Sequence, residues 1–226
     1  MVLFAVFGIF LTFGPALYYE ISFKILQVRG VRYVVASTAS ILPTPASNAA
    51  DATPTSVPAE SAGIDNFAQV LSGSKEQVLV PKDTEFSIII PKIGASAKVF
   101  PNIDPSDSKQ FLPVLKQGVA HAKGTVFPGL TGNIYLFAHS TDNFWDVGRY
   151  NAVFYLLKDL SPGDEIVIFF QNKRYNYIMK ESKIVNPSDV SYIVNAQKQE
   201  KQVLILQTCW PPGTTWQRLV VFAEPK

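Results

Sequence analysis

A chain of 226 residues holds one domain of ordinary size with extensions, and its 47% hydrophobic content suffices for a sizeable core. The net charge of +2, with no basic stripe and no nucleic-acid motif, argues against nucleic-acid binding. One cysteine excludes an internal disulfide, and no zinc ligand set, phosphate loop or dinucleotide fingerprint is present.

The chain opens on Val2–Tyr19, an almost wholly apolar run in which Thr12 is the clearly polar side chain. As a helix these residues would extend about 27 Å, close to the hydrocarbon thickness of a bilayer. A transmembrane anchor over residues 1–23 is the expectation, kinked at Pro15. A signal peptide is the competing reading, weakened because no Lys or Arg precedes the run and no clear small-residue cleavage site follows closely. Lys24, Arg29 and Arg32 follow the span, and the positive-inside rule would place that side in the cytoplasm.

Residues 24–83 read as a juxtamembrane segment and linker. Lys24 to Val35 mixes basic and apolar residues in the manner of a membrane-surface stretch. From Ala36 to about Gly63 the composition turns to Ala, Ser, Thr and Pro, with Pro43, Pro45, Pro54 and Pro58 blocking regular structure. Such a segment buries too little apolar surface to offset its ordering entropy, and is expected to be a disordered, extended spacer. Residues 64–82 form a weakly patterned lead-in with a short helix as one reading.

The folded domain is expected over 84–226. Strand-like runs occur at Ser87–Ile90, Lys98–Phe100, Gly118–Ala120, Ile134–Ala138, Glu165–Phe170, Tyr175–Lys180, Val203–Thr208 and Arg218–Ala223. Their spacing, with turn signals such as Ser161-Pro162-Gly163-Asp164, predicts an all-β barrel or sandwich. Short helices are expected at Ser106–Leu112 and Arg149–Leu157, with Phe154, Leu156 and Leu157 in the core.

The chemistry concentrates where two of these strands meet. Cys209 ends the run Val203–Thr208, Arg218 begins the next, and Pro211, Pro212 and Gly213 make the connection an irregular loop. A thiol at a strand end with a cation nearby suits a nucleophile, because positive charge favours the reactive thiolate. The competing reading is a free cysteine that only packs. A proton-transfer partner must come from His121 or His139. His139 stands at the end of an apolar strand, and His121 is flanked by small residues. On position neither is favoured.

The pattern Thr208-Cys209, then Pro211, Gly213-Thr214 and Arg218-Leu219-Val220-Val221, resembles the active-site strand, loop and strand of the sortase family. Gly118-Val119-Ala120-His121, Gly124-Thr125, Pro128-Gly129, Gly132-Asn133 and Ala138-His139-Ser140 are similar to the family's histidine region, and Phe86–Gly94 to its first strand. The resemblance covers roughly 84–224 in the right order. It implies an eight-stranded sortase-like β-barrel with short helices, and a cysteine transpeptidase in which His139, Cys209 and Arg218 are catalytic. His121 would then be a neighbour. It further implies a catalytic domain outside the cytoplasmic membrane, against the positive-inside reading. Its partners would be sorting-motif peptides of exported proteins and an amine acceptor from a cell-wall precursor or a pilin. A peptidase using water as acceptor and a non-catalytic surface-binding module are the alternatives. Asp142 and Asp146, with Asp104 and Asp107, raise the calcium site of some sortases, but their spacing lacks the alternating ligands of a calcium loop, and no cofactor is expected. Trp210, Trp216 and Trp145 are candidates for lining a peptide groove, and the stretch from Asn186 to Gln202 for reading the substrate.

Overall fold

The computed structural model describes residues 21, 23–25, 28–35, 76–140, 153–198 and 200–226. Val2–Tyr19 and the Ala36–Gly63 stretch lie outside the described residues. Among the described residues, no helix is long and apolar enough to cross a membrane.

Ten strands are described. β1 (Arg32–Val35) and β2 (Glu76–Leu79) pair in parallel, and the other eight close into a barrel. In chain order the barrel strands are β3 (Phe86–Ile90), β4 (Ala95–Ile103), β5 (Val119–Ala122), β6 (Gly132–Phe137), β7 (Glu165–Phe170), β8 (Lys173–Val185), β9 (Gln202–Trp210) and β10 (Gln217–Pro225). Around the barrel the order is β10-β8-β7-β3-β4-β5-β6-β9. Two neighbouring pairs run parallel, β4 with β5 and β6 with β9, and the others are antiparallel. The expected eight-stranded, all-β barrel is therefore the fold, and each predicted run falls on one of these strands.

Alternation along the strands explains the two-sided wall. Ile88, Ile90, Val99, Ile134, Leu136, Leu204, Leu206, Leu219 and Val221 face inward and form the main core. Their outward neighbours Tyr135, Phe137, Val203, Ile205 and Val220 form a second core on the outside of the wall. Period-two side chains produce both sets from one run, and burial on both faces makes the runs read as continuously apolar. The outer core is covered by α1 (Ser108–Leu115) and α2 (Ser191–Gln197), which contribute Leu115 and Ala196, with Phe111, Tyr192 and Ile193 packed alongside. Each fully buried side chain of this size contributes about 1.5–3 kcal/mol.

Three local expectations change. The first helix runs Ser108–Leu115, because Asp107 caps it by accepting from the Lys109 backbone N–H at 3.0 Å. Of the helix expected over Arg149–Leu157, residues 149–152 lie outside the described part, as do 141–148; a short 3-10 helix covers Tyr155–Asp159, and Phe154 and Leu157 are buried as expected. The stretch from Asn186 to Gln202 holds α2, which the sequence reading missed.

The lead-in also forms structure. Val35 of β1 and Leu79 of β2 pack on Ile89, Val167 and Phe169 of the barrel wall. Phe23 is buried in the main core. The Tyr33 ring lies only 2.9 Å from where a Cβ on Gly94 would sit, and Gly94 has φ 64°, so both space and backbone require glycine there. The parallel β1–β2 pair thus brings the residues flanking 36–75 together on one side of the barrel.

Candidate active site

Two consecutive strands, β9 and β10, and the end of β6, which is distant in sequence, meet at the predicted residues. In the antiparallel ladder of β9 and β10, Cys209 is the direct partner of Arg218. Directly opposed residues in such a ladder project to the same face. On its other side β9 pairs in parallel with β6, the last paired residues being Phe137 and Gln207. One residue on, the Ala138 N–H donates to the Gln207 carbonyl at 3.2 Å, and the Thr208 hydroxyl donates to the Ala138 carbonyl at 3.0 Å. Thr208 is buried, so this bond locks the end of β6 against β9 beside Cys209. Carried one residue further, the same register brings His139 level with Cys209. Extended past its last paired residues, the register aligns His139, two residues beyond the end of β6, with Cys209 of β9 and Arg218 of β10 in one row.

The row lies on the outer face of the barrel wall. Along β9, Leu204 and Leu206 point inward while Val203 and Ile205 point outward, and Cys209 shares the outward phase. His139, Cys209 and Arg218 are all half-buried, accessible to a substrate yet shielded from bulk water. Arg218 donates through Nη1 to the carbonyls of Thr215 at 3.1 Å and Gln217 at 3.0 Å, so the loop after Cys209 fixes the guanidinium. That loop turns on Gly213, at φ 82°, whose N–H donates to the Ser140 hydroxyl at 3.4 Å. Ser140 follows His139 in sequence, and this contact ties the cysteine loop to the histidine segment.

His121 sits on the inward side of the wall, in phase with Val119. His121 is fully buried among inward-facing side chains, stacked on Phe127 with ring centroids 4.6 Å apart. Its Nδ1 accepts from the Asn102 N–H at 3.4 Å, and its Nε2 lies 3.1 Å from the Val126 carbonyl. With Nδ1 accepting, Nε2 is the protonated nitrogen and donates to that carbonyl. Burial pushes its pKa below the ordinary histidine value, with the Val126 bond opposing in part. His121 is thus a buried, hydrogen-bonded histidine on the inward side of the wall.

Other predicted residues fare differently. Trp210 packs against the main core, and Trp216 is 75% exposed. Trp145, Asp142 and Asp146 lie outside the described residues. Asp104 accepts from the Ser106 N–H and hydroxyl at 2.9 and 2.6 Å, which holds its carboxyl below the usual range, and Asp107 caps α1. Both carboxylates serve local turns. Among the described residues no group of three or more His, Cys, Asp or Glu is arranged to hold a metal.

Sequence reasoning missed a polar cluster beside the row. Gln207, in the outward phase two residues before Cys209, accepts from the phenols of Tyr135 and Tyr192, the latter at 2.8 Å. The two phenol oxygens lie 3.4 Å apart. Burial pushes the Tyr135 phenol well above the ordinary tyrosine value and raises that of Tyr192; Arg218 pulls each downward, while Cys209 raises Tyr135, a sign that the cluster and the row share one electrostatic environment. The available signal was Gln207 itself, a polar residue inside an apolar run and in phase with the thiol.

A family model described as the sortase domain matches residues 88–226, more than half of the chain. The chain belongs to the sortase family. It is 28% identical over 138 residues to Sortase D of Bacillus subtilis (strain 168), a match covering 60% of each protein, so less than two thirds of that relative is spanned. Among solved structures it is similar to sortase A from Corynebacterium diphtheriae, at 26% identity and a TM-score of 0.53, over 65% of this chain and 62% of that one. It is also similar to a Clostridium perfringens sortase D5 transpeptidase, at 25% identity and a TM-score of 0.51, over 64% of this chain and 79% of that one. The family match begins inside β3 and runs to the end of the chain, enclosing the whole row of sortase-like residues; β1 and β2 precede it.

Proposed function

We propose that this sortase is a membrane-anchored cysteine transpeptidase. The observation that supports it best is the pairing of Cys209 with Arg218 beside the end of β6, in which His139, Cys209 and Arg218 would serve as proton carrier, nucleophile and charge donor. In this reading Cys209 Sγ attacks a backbone carbonyl of a sorting motif near the C-terminus of an exported protein. The carbonyl oxygen takes the electron pair, and Arg218 donates hydrogen bonds to it, a contribution worth most where water is excluded. His139 gives a proton to the departing amide nitrogen, which leaves poorly without one, and the C–N bond breaks to form a thioester on Cys209. An amine from a cell-wall precursor or a pilin then attacks the thioester carbon. His139 takes up the proton released by that amine, the C–S bond breaks as the new amide forms, and the Cys209 sulfur leaves with the electron pair, so that the sulfur and the protonated His139 are ready for the next cycle.

Such acceptors and substrates lie outside the cytoplasmic membrane. Val2–Tyr19 would tether the chain there as a single span, with the barrel on the outer side. Protease added to intact protoplasts should then reach the barrel, whereas protection until the membrane is opened would place it inside.

Transfer and hydrolysis separate by product. A sorting-motif peptide incubated with the protein is expected to give slow cleavage, and an added oligoglycine to give a new amide with faster turnover, read by mass spectrometry. A rate unaffected by amine, with free acid formed at every amine concentration, would instead make this a peptidase.

A further inference from the structure

Gln207 is out of place as a merely structural residue. It interrupts the apolar run of β9 on the outward face, between Val203 and Ile205 on one side and Cys209 on the other. Its register partners are Val220 on β10 and Phe137 on β6, both buried and apolar, so neither neighbour offers its side chain a polar contact. Burying a carboxamide is costly unless its groups are bonded, and a glutamine used only as structure is expected to satisfy both ends. Here the oxygen is saturated, with one phenol donating to each lone pair, while Nε2 makes no hydrogen bond among the described residues. Gln207 is only half-buried, which leaves that amino group reachable.

The two phenols do more than satisfy the oxygen. Tyr135 belongs to the barrel wall and Tyr192 to α2, so the amide plane is clamped between two elements. A clamped oxygen fixes the direction of the amino group at the other end of the same plane. The side chain is thereby pre-organised to donate, with little rotamer entropy left to lose when an acceptor arrives. Strand rise places Gln207 about 7 Å from Cys209 along the same face. An extended peptide advances at nearly the same rate, so the acceptor within reach is a peptide carbonyl two residues from the one that Cys209 attacks.

We propose that Gln207 is a substrate-positioning residue, its Nε2 donating to a backbone carbonyl of the sorting peptide two residues from the scissile bond while Tyr135 and Tyr192 hold its oxygen. This rests on the reading of Cys209 as nucleophile toward an extended peptide. Clamping through α2 also makes the segment before Cys209 part of substrate reading, by way of a side chain on β9.

The test uses the full chain and the best-cleaved member of a fluorescence-quenched sorting-peptide library. Gln207→Glu keeps an acceptor for both phenols, since a carboxylate accepts at least as well as an amide, and removes the donor. The variant is expected to melt within a few degrees of the parent, with KM raised roughly tenfold and kcat changed far less. On the parent enzyme, a peptide in which the carbonyl two residues from the scissile bond, on one side or the other, is replaced by an alkene isostere should show the same loss of KM. Combining that peptide with Gln207→Glu should add nothing further. An unchanged KM for Gln207→Glu on a cleaved peptide, or alkene peptides on both sides that bind the parent normally, would overturn the positioning role and leave the transpeptidase reading intact. A parent chain that cleaves no peptide and forms no thioester on Cys209 would overturn both.

Discussion

Replacing Arg218 by lysine separates charge from directional donation. The guanidinium carries five N–H donors in a planar fork. The two on Nη1 are engaged by the carbonyls of Thr215 and Gln217, which leaves Nε–H and the pair on Nη2 for a developing oxyanion at Cys209. A lysine ammonium carries three donors on a flexible stem. If it satisfies the same two carbonyls, one donor remains, and it no longer lies in a plane set by the other contacts. Losing one pre-organised oxyanion donor slows an acyl-transfer step by about a hundred- to a thousandfold, or roughly 2.7–4 kcal/mol of barrier. Arg218→Lys is therefore expected to acylate nearly as slowly as Arg218→Ala, with KM changed little. Arg218 is half-buried at the strand start and contributes little to either core, so both variants should melt close to the parent. The assay is the pre-steady-state rate of thioester formation on Cys209, read by quenched-flow mass spectrometry. A lysine variant that acylates within about threefold of the parent would show that charge suffices and would refute the donor argument.

Cys209→Ala should abolish labelling by a thiol-reactive substrate analogue, and His139→Ala should slow it severely while His121→Ala retains clear activity; greater damage from losing His121 would reverse the two roles. Thr208→Val keeps the shape but removes the hydroxyl that bonds the Ala138 carbonyl, so chemical denaturation should show a loss of about 1–3 kcal/mol, and kcat should fall because Ala138 leads directly into His139. Burial lowers the pKa of His121 in the folded protein, so the unfolded chain takes up the proton first as pH falls below about 6.5. The stability this residue provides is complete above that pH and is lost as pH drops toward the folded pKa, by at most about 1.4 kcal/mol per unit. A urea midpoint that falls between pH 6.5 and 5 in the parent should fall less steeply in His121→Gln, and equal slopes would exclude His121 as the cause.

Much of the barrel was legible because most of its strands contain a β-branched or aromatic run, and burial on both faces left runs such as Phe86–Ile90 and Val203–Leu206 unbroken. The row of site residues was legible only in part. Cys209 and Arg218 lie nine positions apart across one loop, a local relation that strand assignment already exposes. Bringing His139 level with them depends on the parallel pairing of β6 with β9 over some seventy residues, which no local pattern encodes. The resemblance to sortases grouped His139 with Cys209 and Arg218 in advance, without the strand pairing. Helix α2 was hidden for a different reason: it is seven residues long, and only Tyr192, Ile193 and Ala196 pack against the outer core, too few to show a helical period. The strands β1 and β2 escaped notice because their pairing closes over residues 36–75 and is stabilised by Val35 and Leu79 on the barrel wall, a tertiary contact that short runs of ordinary propensity cannot announce.

That pairing changes what a cut or an insertion in the proline-rich stretch would do. A tether transmits length: lengthen it and the tethered body moves away. Residues 36–75 instead leave the barrel at β1 and rejoin it at β2, the neighbouring strand, so their length does not set how far the barrel stands from residues 21–35. Proteolysis there would open the backbone without freeing the catalytic domain, since Phe23 in the core, Tyr33 on Gly94 and the β1–β2 ladder would still clasp the N-terminal piece. Extra residues inserted at the same place should be tolerated cheaply, because the entropy of closing a loop grows only with the logarithm of its length. The stretch is a detour in the chain, and the shorter route between residues 21–35 and the barrel runs through packed side chains.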